Sequence, residues 1–188
     1  MLKYIEETGN YVEITGFRNI VIGDAEEFLK KVCKEKQRHV WVQFFDAEVV
    51  ATRQHLHFAV LNALLAFKNE RNISKSMAME AILYASAQHQ IRIAIDIMGV
   101  KSDSANVAVV VIGESPDSVK AVLAEVSEAA GVESDEAVLE LSGKKVQRLR
   151  EVFGITDIEL EAVMEKGDVE QALVKLVIER TALLSARV

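Results

Sequence analysis

The sequence predicts an α+β (mixed α/β) fold: a single domain over residues 1–188, with a small central sheet, mixed or antiparallel, packed by helices, and a helical C-terminal portion over residues 143–188. Three observations predict it. Runs with strand period and runs with helix period alternate irregularly, not in the strict β-α series of a parallel sheet. All the strand-like runs precede residue 142, and the residues after it have helical period and helix punctuation. One proline and the absence of any Gly/Ser-rich run leave no linker to divide the chain, and no internal repeat is visible.

In chain order, Tyr11–Phe17 (YVEITGF) alternates like an edge or half-buried strand, which Ile20–Ile22 extends or follows. Asp24 caps a helix through AEEFLKKVCKEK, whose early acids and late lysines suit the helix dipole. His39–Phe45 (HVWVQFF), β-branched and aromatic, reads as a central strand. Thr52–Lys68 is helical: Leu56, Val60, Ala63, Leu64 and Phe67 share a face, and Phe58, Leu61 and Leu65 widen it, so packing on more than one side is expected. Ser74 or Ser76 caps the next helix, through MAMEAILYA.

Residues 91–98 read two ways. Ile91, Ile93, Ile95 and Ile97 alternate as in a strand, whereas Ile91, Ala94, Ile95 and Met98 fall on one face of a helix. Asn106–Ile112 (NVAVVVI) is a buried strand. Ser115 as N-cap and Pro116 at the first helical position open a helix that ends at Gly131. Ala137–Leu141 (AVLEL) is expected as a last short strand. Lys144–Phe153 is a helix closed by Gly154, Thr156 and Glu159 form a capping box, and Asp168 with Gln171 starts the final helix after Gly167.

Composition narrows the function classes. A net charge of −7 argues against a general basic field for duplex DNA, though not against a local site for a short single strand. The single cysteine, Cys33, leaves neither an internal disulfide nor a cysteine-based zinc site. No apolar leader and no run long enough to span a bilayer is present, so a soluble, intracellular protein without a membrane partner is expected, cytoplasmic, with the nucleus open to it in a eukaryotic cell. No dinucleotide fingerprint, P-loop or nucleophile elbow occurs, and VVVIGESPDSVK offers one glycine with a repelling Glu114. His55 and His57 form an H-x-H pair, but residues two apart on a helix diverge, so no metal is expected. Neither catalytic residues nor a cofactor are expected; the sequence does not read as an enzyme.

What stands out is a polar knot, Ser86-Ala87-Gln88-His89-Gln90 with Arg92, lacking both acid and glycine inside apolar surroundings. Its hydroxyl, amides, imidazole and guanidinium suit base edges and phosphates. They equally suit a helix–helix junction that satisfies freed backbone groups.

DAEVVATRQHLHFAVLNALLAF, NIS, LYASAQHQIRIAIDIMGV and LVIERTALL together resemble the small subunit of the KEOPS (EKC) complex, the family of the PRPK-binding protein. The resemblance runs from about Trp41 to Leu184 and is strongest over Asp46–Val100. The family's Y-A-S-G-Q-R-Q-I segment stands here as Tyr84–Ile91, with Ala87 in place of glycine and His89 in place of arginine; Thr52 also stands where the family often has glycine.

The resemblance implies a helix, not a strand, over Gln90–Met98. It implies a non-catalytic subunit that binds the complex's small, PRPK-like kinase/ATPase and holds the 3′ CCA end of tRNA during threonylcarbamoyladenosine synthesis. The RNA-binding candidates are Lys68, Arg71, Ser86, Gln88, His89, Gln90 and Arg92. Leu176, Ile178, Arg180, Leu183 and Leu184 of the last helix are the kinase-binding candidates. Two rivals remain: an interaction adaptor, because GITDIELEAVMEKGDVEQALVKL loosely resembles a ubiquitin-associated three-helix module, and an enzyme whose histidines and acids meet only on folding.

Overall fold

The structure is a computed structural model, and residues 1–20 and 39–186 are described. The helix expected after Asp24, Cys33 within it, and Val21 and Ile22 lie outside those residues. Strand β1 (Lys3–Ile5), β2 (Asn10–Phe17), β3 (Val40–Asp46) and β4 (Val107–Gly113) form a four-stranded sheet in the order β1-β2-β4-β3. Every pairing is antiparallel, with Thr15 opposite Val109 and Phe44 opposite Val109 from the other side. Among the described residues the α-helices are α1 (Arg53–Lys68), α2 (Met77–Ser86), α3 (Ile91–Met98), α4 (Pro116–Ala130), α5 (Gly143–Phe153), α6 (Asp157–Val163) and α7 (Val169–Ala182).

Strand β4 is buried along its whole length, as its unbroken apolar run requires. Its residues alternate between two cores. Ala108, Val110 and Ile112 join Val12, Ile14 and Phe45 beneath α1, α2 and α3. Val107, Val109 and Val111 join Phe17 and Phe44 beneath Val119, Val122 and Val126 of α4. A third cluster, around Leu149, Phe153, Leu160, Leu173 and Val177, holds α5, α6 and α7 together and includes Ala51 just before α1.

One expectation is corrected and one strand is added. Ala137–Leu141 is not a strand: Glu136–Leu139 forms a 3₁₀ turn capped by Asp135. This turn crosses β2 at Gly16, whose carbonyl accepts the Asp135 N–H at 2.7 Å. A Cβ on Gly16 would stand 2.0 Å from a Val138 methyl, so the close crossing needs glycine. Strand β1 adds to the expected sheet, and its three residues are too few to show a period in the sequence.

Several local signals hold. Ser76 (not Ser74) caps α2 and Ser115 caps α4 with Pro116 in its first turn, while Thr52, read as the first residue of α1, is its N-cap. The Thr156–Glu159 capping box is complete. Residues 91–98 are helical. The C-terminal helices are tied to the 3₁₀ turn and to the segment before α1 by buried Lys145, whose ammonium donates to the carbonyls of Val138 at 2.5 Å and Val50 at 3.4 Å. Burial lowers the pKa of Lys145, while Glu48 and Asp46 pull it back up. Among the described residues no helix is long and apolar enough to cross a membrane.

Candidate nucleic-acid interface at the junction of α2 and α3

Helix α2 ends in a tight turn that is closed on the inside. The N–H of Gln88 donates to the Leu83 carbonyl and that of Ala87 to the Tyr84 carbonyl, each at 3.1 Å, the paired bonds of a Schellman motif. Ala87 takes the left-handed position at φ 53° that glycine favours. A Cβ there costs about 1 kcal/mol. Alanine therefore holds the left-handed turn and accepts the strain. Ser86 is buried, and its hydroxyl lies 2.8 Å from the Ile82 carbonyl and 3.1 Å from that of Leu83. Of the RNA-binding candidates in the knot, Ser86 is thus engaged inside the turn.

His55 anchors the turn from below. Its Nδ1 accepts the Ala51 N–H at 3.3 Å, so Nε2 carries the proton and donates to the Ala85 carbonyl at 2.8 Å. The ring also meets Phe153 of α5 edge-on, with centroids 5.6 Å apart. Burial lowers its pKa from 6.5 to about 4, and the Ala85 bond opposes that shift. A neutral imidazole therefore ties the start of α1, the end of α2 and α5 to one point. His57 points elsewhere and is half-buried. Among the described residues no group of three or more potential metal ligands gathers.

Beyond Ser86 the knot faces outward. Gln88 is half-buried, while His89, Gln90 and Arg92 are exposed. Among the described residues none of these four side chains has an internal hydrogen bond or ion pair. Gln90 occupies the N-cap of α3 without a side-chain bond to it, so the first N–H groups of the helix are uncapped. Ile91 and Ile95 lie along the same helix, 40% and 42% exposed, and no acid occurs between Ala81 and Ile95.

Lys68 and Arg71 do not join this cluster. His55 lies beside the knot, and at roughly 1.5 Å per residue the stretch of α1 from His55 to Lys68 is about 20 Å long. Lys68 instead donates to the Glu7 carbonyl beside the β1–β2 turn, and Arg71 is exposed in the loop after α1. That loop is held by fully buried Glu80, whose carboxylate accepts the N–H groups of Ile73 at 3.0 Å and Ser74 at 2.7 Å. Sequence reasoning singles out neither His55 nor Glu80 for these tasks. The signal present was a polar residue on the apolar face of a helix, which a buried backbone partner explains.

The kinase-binding candidates divide in the same way. Leu176 and Leu184 are buried in this chain's own core, Ile178 is half-buried and Leu183 is 38% exposed. Arg180 is paired with Glu159. Two bonds from Thr156 and the Arg180 guanidinium hold the Glu159 pKa down at about 2. Phe153, Ile155, Leu160 and Leu173 of this helical portion turn inward onto one another, while Ile158 and Val169 stay exposed.

Two comparisons with known proteins agree with the resemblance read from Tyr84–Ile91 and its surroundings. Residues 17–185 match the family described as kinase binding protein CGI-121. The regulatory protein Cgi121 of Methanocaldococcus jannaschii is 36% identical over 126 residues, which cover 66% of this chain and 79% of that relative. Since the family match spans nearly the whole chain and includes strands β3 and β4, the knot and the last helix, the protein belongs to the CGI-121 family of kinase-binding proteins.

Proposed function

We propose that the protein is a non-catalytic accessory subunit of a KEOPS-type complex, the assembly that makes threonylcarbamoyladenosine next to the anticodon of tRNA. In this reading it binds the complex's small kinase/ATPase subunit and holds the single-stranded 3′ CCA end of tRNA, in the cytoplasm. The family's kinase-binding description supports the first part. One observation carries the second: Gln88, His89, Gln90 and Arg92 stand without internal partners on a rigid, acid-free turn that leads into an uncapped helix start. Amides and guanidinium recognise base edges and phosphates there, and the exposed isoleucines give bases an apolar shelf. An acidic chain suits the task, because a three-nucleotide end needs local donors and not a basic face.

The test is binding of tRNA with and without its CCA end at near-physiological salt. The expected result is loss of binding on removing CCA, and weakening of about fivefold for Gln88→Ala and for Arg92→Ala, the value of one charge-assisted or neutral hydrogen bond. Equal binding of both RNAs overturns the RNA reading. For the kinase surface, Ile178→Asp and Leu183→Asp are expected to weaken the kinase complex while the fold holds; binding that survives both moves the interface off α7.

A further inference from the structure

At the far end of the α1–α2 pair from the knot, the β1–β2 turn and the start of β3 enclose a hollow of about 530 Å³, within the range of small-molecule sites. Its walls are apolar and partly aromatic: Trp41 from β3, Leu64 and Phe67 from α1, Met77 from α2. Two polar side chains in its lining lack protein partners. Asn10 is only 9% exposed, and among the described residues its amide makes no hydrogen bond, so it meets solvent. Among the described residues the Thr8 hydroxyl is buried without a hydrogen bond. A buried hydroxyl left unpaired is costly, and sites for polar ligands are where such groups persist.

Charges stand at the rim. Lys68 uses one of its three N–H groups on the Glu7 carbonyl and is otherwise exposed. Glu114, across the hollow, accepts a contact from His39 Nδ1 at 3.1 Å. Aromatic and aliphatic walls favour a flat ring. A side-chain amide offers both donor and acceptor to the edge of a nitrogen heterocycle, a carboxylate accepts from sugar hydroxyls, and an ammonium pairs with a phosphate.

We propose that this hollow binds a free nucleoside 5′-monophosphate, with the base against Trp41 and Phe67, its edge on Asn10, the ribose hydroxyls toward Glu114 and the phosphate at Lys68. This assignment stands apart from the RNA reading of the knot and uses none of its residues there.

Trp41 is the chain's single tryptophan, so its fluorescence reports on the site directly. Adenosine 5′-monophosphate is titrated into the full chain, beside adenosine, inorganic phosphate and a CCA oligonucleotide. Saturable quenching by the monophosphate is expected, weaker by about tenfold in Asn10→Leu, the loss of one buried hydrogen bond. Asn10→Leu removes an unpaired amide and is expected to keep its thermal midpoint, so that loss is not one of folding. Lys68→Ala is expected to bind the monophosphate no better than adenosine. An unchanged Trp41 emission overturns the proposal. So does quenching by phosphate alone, a quenching midpoint left unchanged by Asn10→Leu, or a response confined to the oligonucleotide. Gln88→Ala and Arg92→Ala leave this titration unchanged, which separates its outcome from that of the tRNA experiment.

Discussion

Helices α3 and α7 are both rich in apolar side chains, yet the fold treats them in opposite ways. In α7, Ala172, Leu173, Leu176 and Val177 are buried, and Thr181 with Leu184 continues that face. It is wedged between α1 and the α5–α6 pair, so apolar groups around much of its circumference find cover. Eight-residue α3 buries only Ala94 and Met98 and leaves Ile91, Ile93 and Ile95 about two-fifths exposed. Apolar composition therefore does not by itself mark an exposed surface in this molecule. Position does: α3 lies on the flank of the first core, next to a turn already closed by its own hydrogen bonds, with nothing outside it among the described residues.

The comparison breaks if the two helices respond alike to a buried charge. Leu176→Asp is expected to destabilise by about 4 kcal/mol or more, because it leaves an unpaired carboxylate inside the third cluster. Ile95→Asp is expected to change stability by less than about 1 kcal/mol. Chemical denaturation of the two variants measures both, and equal losses would show that α3 is covered after all.

The next largest effect concerns the anchor that joins the two regions. His55 has a folded pKa of about 4 against 6.5, so the unfolded chain binds the extra proton first. Its contribution is complete above pH 6.5 and is lost as pH falls through 4, roughly 3 kcal/mol in all. His55→Gln, which keeps a donor and an acceptor, is expected to flatten that part of the stability–pH curve. Denaturation midpoints between about pH 7 and pH 4 for the two proteins test this, and parallel curves would assign the slope to other groups.

The smallest effect sharpens the description of the knot. Ala87→Gly relieves a left-handed alanine and is expected to raise stability by about 1 kcal/mol without altering tRNA affinity. A thermal midpoint that falls would mean the turn had changed its geometry. A gain in stability that came with weaker tRNA binding would mean the strain itself holds the knot in place.

Much of this was legible in the chain. Strands β2, β3 and β4 announce themselves by period and β-branched content. The caps at Ser115, Thr156 and Asp168 show because a cap and the N–H it satisfies lie within three residues. The knot was visible as a polar stretch between apolar runs. Harder to see was the division among its residues: Ser86 turns inward while Gln88, His89, Gln90 and Arg92 stay outside, and the αL turn at Ala87 decides which is which.

By itself, then, the sequence determined what depends on neighbours within about one helical turn: the α+β class, most element types, the caps, and an acid-free polar turn. Tertiary structure decided what depends on residues distant in the chain. It made Ala137–Leu141 a 3₁₀ turn, because that segment crosses β2 at Gly16 instead of pairing along an edge. It sent Leu176 and Leu184 into the core and placed Lys68 with Asn10 and Trp41 instead of with Gln88 and Arg92. Period and spacing record how a residue relates to its own element; which elements then press together is set by packing, and that is where both proposed sites are assembled.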